Sequence, residues 1–288
     1  MEFLCNIWKV EHGSAAYIHT PNARKVLLDA GQSDDFSPSE HLYQIWNIRT
    51  VDYLVVSHPH SDHIQDLPTL KNIISFNALV WNSNTPDRLI YPPGKGSLKE
   101  PMASWFEISN FYTEPLPPER QITNSSFFGG VQFNPFFPHE SYLSGNAKDN
   151  LNNYSLVLTV NYRELLIVFP GDLEPEGWEA ALNNTALKDH LSATHKILIA
   201  SHHGRRSGIR WADGTLYTRF LELLRPNLTI ISDKRGNETT DPEAYRPYCS
   251  GINVDCSGII ENKKVLTTKT NDCISIQVEG NSTIIKVY

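Results

Sequence analysis

The chain has 288 residues, is 40% hydrophobic and carries a formal net charge of −7. That apolar content supports a packed core and argues against a disordered chain. The acidic balance argues against a broad nonspecific nucleic-acid surface, though not against a local basic patch. The N-terminus lacks a basic segment followed by a long apolar one, and no apolar run reaches the ~20 residues of a membrane helix. A cytoplasmic chain with no membrane partner is therefore expected. Cys5, Cys249, Cys256 and Cys273 are scattered, which suits reduced thiols, with a Cys249–Cys256 disulfide left open by spacing.

In chain order, strands are predicted over Phe3–Val10 and Lys25–Leu28, the second ending at Asp29-Ala30-Gly31. Helical spacing follows from Ser39 to Ile48, with a serine suited to capping. The run Val51–Val56 reads as a buried strand, and Asp66–Ile74 as a helix entered through Pro68. Residues 84–130 hold a density of proline and glycine that predicts an irregular insertion. Its aromatics (Tyr91, Trp105, Phe106, Phe111, Tyr112) suit either a functional lid or surface decoration. Beyond it, Ser155–Val160 and Glu164–Phe169 read as adjacent strands, followed by a helix over Glu176–Leu182. Lys196–Ala200 reads as a strand, Tyr217–Leu224 as a helix stopped near Pro226, and Leu228–Ile231 as a strand. Cys273–Val278 and Thr283–Val287 form a terminal pair turning at Gly280-Asn281. Strands with intervening helices predict a layered α/β architecture, organised as one domain over 1–288.

The segment His58-Pro59-His60-Ser61-Asp62-His63 carries three imidazoles and a carboxylate directly after an apolar strand. Strand ends are where a rigid scaffold presents functional groups. Imidazole with carboxylate suits zinc, manganese or iron. Three other apolar strands also end in such groups: Asp29 after Val26-Leu27-Leu28, Asp172 after Leu165–Phe169, and His202-His203 after Ile197–Ser201. Taken singly, each is an ordinary turn or capping residue. Four such ends on one edge of a sandwich would place their side chains together.

These motifs resemble the metallo-β-lactamase superfamily, in the branch similar to the hydrolase domain of the DNA-uptake protein ComEC. The resemblance rests on Leu27–Gly31, Ser57–Ile64, Asn152–Leu158, Phe169–Leu173 and Ser201–Gly204, in the family's order, with weaker similarity at Ile231–Asp233 and Val265–Thr268. It implies a four-layer αββα sandwich with two divalent ions, zinc first and manganese second, along one edge. By that resemblance His58 and His60 bind the first ion, Asp62 and His63 the second. Asp172 bridges both, and His203 completes the second site. Asp29 orients a ligand imidazole. Asp62, Asp172 and His202 are the implied catalytic groups, with His202 facing substrate as a phosphate contact or proton donor. The family's intermediate ligand position has no clean histidine here; His139 is its candidate beside Glu140, with Asp149 or Asn153 further on.

Such a pair of ions implies hydrolysis by metal-activated water. Arg205 and Arg206 directly follow the His-His-Gly turn, with Arg210 close by, and Lys234 and Arg235 follow a strand end. Guanidinium groups there suit phosphate oxygens. Arg205, Arg206, Lys234 and His202 are thus the expected substrate contacts, and a phosphodiester of a nucleic acid or nucleotide is the expected substrate. Two alternatives stay open. One is hydrolysis of another bond: a lactam, lactone, thioester or phosphocholine ester. The other is a non-catalytic binding module that retains the fold.

Overall fold

The computed structural model describes residues 2–90, 100–233 and 239–288. Fifteen strands are assigned among them: β1 (Phe3–Trp8), β2 (Ala16–His19), β3 (Lys25–Leu28), β4 (Thr50–Val55), β5 (Ser75–Val80), β6 (Gln132–Phe136), β7 (Val157–Tyr162), β8 (Leu165–Phe169), β9 (His195–Ile199), β10 (Leu228–Ile231), β11 (Ile252–Cys256), β12 (Ile259–Lys263), β13 (Val265–Thr267), β14 (Cys273–Glu279) and β15 (Ser282–Val287). They form a nine-stranded sheet, in the order β12-β11-β15-β14-β1-β2-β3-β4-β5, and a six-stranded sheet, β13-β10-β9-β8-β7-β6.

Alternation along the strands separates three apolar layers. In β8, Leu165, Ile167 and Phe169 face the nine-stranded sheet, where they meet Phe3, Cys5, Ile7 and Val55. Leu166 and Val168 turn the other way, onto Trp178, Leu182 and Phe220. These belong to the helices Pro175–Leu182 and Arg219–Leu224, on the outside of the smaller sheet. On the outside of the larger sheet, Leu27 and Leu54 pack with Leu42, Leu67, Leu70 and Trp105. The layers therefore run helix, sheet, sheet, helix, the αββα sandwich that the resemblance implied.

Several expectations need correction. The helix near residue 39 is a short turn, Pro38–Glu40, capped by Ser37 rather than Ser39, and it passes into a π-helical turn over His41–Ile45. The 84–130 stretch is less irregular than its composition suggests. Met102–Phe111 is a ten-residue helix that buries Trp105, Phe106 and Ile108 in the outer helical layer. Tyr91 and the rest of 91–99 lie outside the described residues. No disulfide forms; all four cysteines are free thiols. No helix among the described residues is long and apolar enough to cross a membrane.

β3 and β4 are parallel neighbours, as are β8 and β9. Parallel pairing puts both carboxyl ends of a pair on the same edge. The loops after these four strands thus meet where the two sheets open, and the Leu156 N–H donates to the Ser57 carbonyl across that opening, at 2.9 Å.

Candidate metal centre

Backbone geometry at the four strand ends aims the side chains inward. Asp29 has φ +56° and Gly171 has φ +58°, so both chains turn sharply on leaving β3 and β8. At position 171 a Cβ would stand 2.8 Å from Ser155 Cβ and 2.9 Å from Ser57 Cβ, so only glycine fits. The turn is pinned by the Asp172 N–H, which donates to Ser155 Oγ at 3.0 Å, and by the His202 N–H, which donates to the Gly171 carbonyl at 3.1 Å. After β9 both His202 and His203 are left-handed, with φ 49° and 55°. Two adjacent non-glycine residues in that region cost roughly 1–3 kcal/mol each. The fold offsets this with a buried hydrogen bond from Trp178 Nε1 to Ser201 Oγ at 2.8 Å.

Asp62, His63, Asp172 and His203 each offer a ligand atom, and these atoms lie within 4.8 Å of one another. Asp172 Oδ1 stands 3.0 Å from His63 Nε2 and 3.3 Å from His203 Nε2, yet it is buried without a well-formed hydrogen bond. The two imidazole Nε2 atoms are themselves 3.2 Å apart, and His203 Nε2 is 3.4 Å from Asp62 Oδ2. The other oxygen of Asp172 faces a different set. Oδ2 is 3.8 Å from His58 Nε2 and 3.7 Å from His202 Nε2, and His58 Nε2 is 2.9 Å from His60 Nδ1.

Electrostatics separates the histidines. Burial, reinforced by the neighbouring His63, pushes the His58 and His60 rings below the usual imidazole range, so they stand neutral with lone pairs available. Burial also opposes charge on His63 and His203, but Asp172 outweighs it at both, with Asp29 adding at His63, and both rings sit above the usual range. Burial would raise Asp172 and Asp62. At Asp172 it is overcome by His203 and His63, and at Asp62 by its hydrogen bond to His203, so both carboxylates are held low and ionised. Two nitrogens that converge at 3.2 Å beside two ionised carboxylates share a proton poorly and would share a cation well. This borderline nitrogen and oxygen donor set fits a divalent metal.

Support comes from behind. Asp29, itself 1% exposed, accepts from the Ser57 N–H at 2.7 Å through Oδ1. Its Oδ2 faces Ser57 Oγ at 3.0 Å and His63 Nδ1 at 2.8 Å. A carboxylate can only accept, so His63 carries its proton on Nδ1 and turns Nε2 to the cluster. Ser57 was not singled out from the sequence, although it directly precedes His58. Glu174 was also missed. Its Oε1 is 3.4 Å from His202 Nδ1, and Asn150 and Asn152 donate to the same carboxylate at 2.7 and 3.3 Å. The available signal was its place two residues after Asp172.

Other expected contacts fall differently. His139 is exposed and caps its own turn, its Nδ1 accepting from the Ser141 N–H at 3.1 Å, so it is not brought to the cluster. Glu140 and Asp149 both pair with Arg88, and Asn153 anchors the Glu174 and Gly177 N–H groups. None of these fills the intermediate position. Arg205 is half-buried and Arg206 exposed beside the His-His-Gly turn. Arg210 is committed to Asp241 at 2.8 Å and to the Gly214 carbonyl, which removes it as a free phosphate contact. Lys234 and Arg235 lie outside the described residues.

A sequence model of the Metallo-beta-lactamase superfamily matches residues 8–125, the stretch that carries the His-rich segment. The Endoribonuclease YSH1 of Gibberella zeae is 30% identical over 125 residues, which is 43% of this chain but only 14% of that enzyme. Among solved structures, an E377D mutant of the CmlA β-hydroxylase, an enzyme of Streptomyces venezuelae, is similar at TM-score 0.53 and 13% identity, covering 96% of this chain and 54% of that one. The fold protein YhfI of Bacillus subtilis is similar at TM-score 0.49 and 11% identity, covering 96% of this chain and 100% of that one. With the layered topology, the superfamily model and the similarity to the CmlA mutant identify the metallo-β-lactamase fold.

Proposed function

We propose that this chain, with the metallo-β-lactamase fold as its scaffold, is a hydrolase that uses two divalent ions, zinc before manganese, to cleave a phosphodiester in a nucleic acid or nucleotide. The observation that carries this reading is the divided carboxylate of Asp172: Oδ1 faces His63 and His203, whereas Oδ2 faces His58 and His202. His63, His203 and Asp62 would hold one ion, with His58 and His60 holding the other and Asp172 serving both. When bound, such ions supply an activated water at neutral pH and offset charge on phosphate oxygens.

The remaining roles belong to the chain's own side chains. Asp29 and Ser57 fix the His63 ring. Ser207 Oγ and Glu174 hold His202 Nδ1 at 2.9 and 3.4 Å, which turns Nε2 toward the cluster, 3.7 Å from Asp172 Oδ2, where it would contact a substrate oxygen or pass a proton to the leaving group. Arg205 and Arg206, directly after the His-His-Gly turn, would be the cations that meet phosphate oxygens.

The endoribonuclease similarity and the ComEC-like order of motifs favour a nucleic-acid phosphodiester. The capture of Arg210 by Asp241 and the net charge of −7 favour a short substrate held only near the cluster, and they keep an uncharged ester as the second reading. The test is metal analysis of the purified protein together with hydrolysis of bis-p-nitrophenyl phosphate with added zinc or manganese. Two ions per chain and metal-dependent cleavage, lost in His60→Ala and in Asp172→Ala while both variants stay folded, are expected. Two ions without cleavage would move the substrate to another ester. No bound metal, with no rescue by added metal, would leave a non-catalytic module.

A further inference from the structure

On the outer face of the nine-stranded sheet lies a cavity of about 680 Å³ that shares no lining residue with the metal cluster. Its volume is that of a small-molecule site. Its floor comes from two antiparallel strands in register: Leu4, Asn6 and Trp8 of β1 stand opposite Gln277, Ser275 and Cys273 of β14. The floor is polar where a covered sheet face is ordinarily apolar. Asn6 is 6% exposed, and its amide has no hydrogen-bond partner among the described residues. Gln277 Nε2 donates to Ser275 Oγ at 3.1 Å, which leaves the Gln277 carbonyl oxygen available. Both amides open onto the cavity, where water or a bound polar group can reach them.

The wall is aromatic. Phe36, His41 and Trp46 fan around Trp8, with ring centroids 5.9, 6.0 and 6.0 Å from it. His41 opens the π-helical turn, and Trp46 follows it; such turns are frequent at functional sites. Burial pushes the His41 ring below the usual imidazole range, so this wall bears no positive charge near neutral pH. At the rim stand Glu11, Asp35 and Asp272; among the described residues the lining holds one ammonium, Lys9, which lies 3.0 Å from Asp272. Asp35 is exposed and pairs with no cation among the described residues.

Oxygen acceptors on the floor, carboxylates at the rim and electron-rich rings between them select for a positively charged donor with a carbon body. We propose that this cavity binds a small protonated organic amine, at a site independent of the metal centre. The rings cover the body of the ligand, while Asn6, Gln277 and the Asp35 carboxylate accept its N–H groups. A nucleotide is disfavoured there, because its phosphates would meet the Asp35 carboxylate and a Lys9 ammonium already paired with Asp272.

Isothermal titration of the whole chain at 150 mM salt tests this with tyramine and spermidine as amine probes and 4-ethylphenol as the neutral counterpart of tyramine. Submillimolar binding of at least one amine is expected. The same titration followed by tryptophan fluorescence should show quenching. Trp46→Leu should weaken binding tenfold or more, and Asp35→Asn, an exposed change that leaves the fold intact, by several-fold. Asp172→Ala should bind as wild type does. Failure of both amines to bind below 10 mM, equal binding of 4-ethylphenol and tyramine, unchanged binding in both cavity variants, or loss of binding in Asp172→Ala would each overturn the proposal.

Discussion

Asp29→Asn offers the cleanest perturbation of the metal cluster, because it changes one charge and little else. Asp29 is left-handed at φ +56°, a region asparagine tolerates well, so the backbone should hold. The amide oxygen can keep the 2.7 Å bond from the Ser57 N–H. The amide NH₂ then replaces Oδ2, 2.8 Å from the protonated His63 Nδ1 and 3.0 Å from Ser57 Oγ. A donor now faces a donor. The conflict is relieved if His63 moves its proton to Nε2, which is the atom needed as a lone pair at the cluster. Loss of such a supporting contact typically costs 10- to 100-fold in metal affinity, or about 1.4–2.8 kcal/mol. The metal-free protein should lose about 1–3 kcal/mol as the buried bonds are broken. Zinc affinity measured by competition with a chromogenic chelator, beside thermal unfolding with and without metal, separates the two effects. A folded variant that binds zinc as tightly as wild type would refute the role of Asp29.

Three further outcomes are expected. Gly171→Ala should lower stability by about 1–3 kcal/mol and reduce metal content, since its Cβ would press on Ser155 and Ser57; unfolding curves matching wild type would contradict the close approach. Arg205→Ala with Arg206→Ala should raise KM for phosphodiesters and leave metal content unchanged, whereas Arg210→Ala should act on stability through the lost Asp241 pair; kinetics unaltered in the double variant would make the basic loop ornamental. Burial pushes the Cys273 thiol up to about 12, so its reaction with iodoacetamide at pH 8 should run about a thousandfold slower in the native than in the unfolded chain, rising toward alkaline pH; equal rates would refute the burial.

What was legible in sequence were the elements buried on both faces. β4, β8, β9 and β10 sit inside their sheets with apolar layers on each side, so they appear as continuous runs such as Leu165-Leu166-Ile167-Val168-Phe169. The polar groups that end such strands were equally visible, including His58, His60, Asp62, His63, Asp172 and His203. β5 and β12 were not visible. They are the edges of the larger sheet, and their sequences, Ser75-Phe76-Asn77-Ala78-Leu79-Val80 and Ile259-Ile260-Glu261-Asn262-Lys263, mix polar with apolar because one side faces solvent. The helix Met102–Phe111 was hidden by flanking prolines, whose local signal is stronger than that of a single buried face.

By itself, then, the sequence determined which residue types stand at the ends of apolar strands, because burial and turn chemistry act on near neighbours along the chain. Only the tertiary structure decided that Asp172 divides its oxygens between two histidine sets, that Glu174 reaches His202, that Arg210 is spent on Asp241, and that Asn6 meets Ser275 beneath an aromatic wall. Those relations join residues far apart in the chain. They are set by sheet order and register, which nearest-neighbour patterns do not encode.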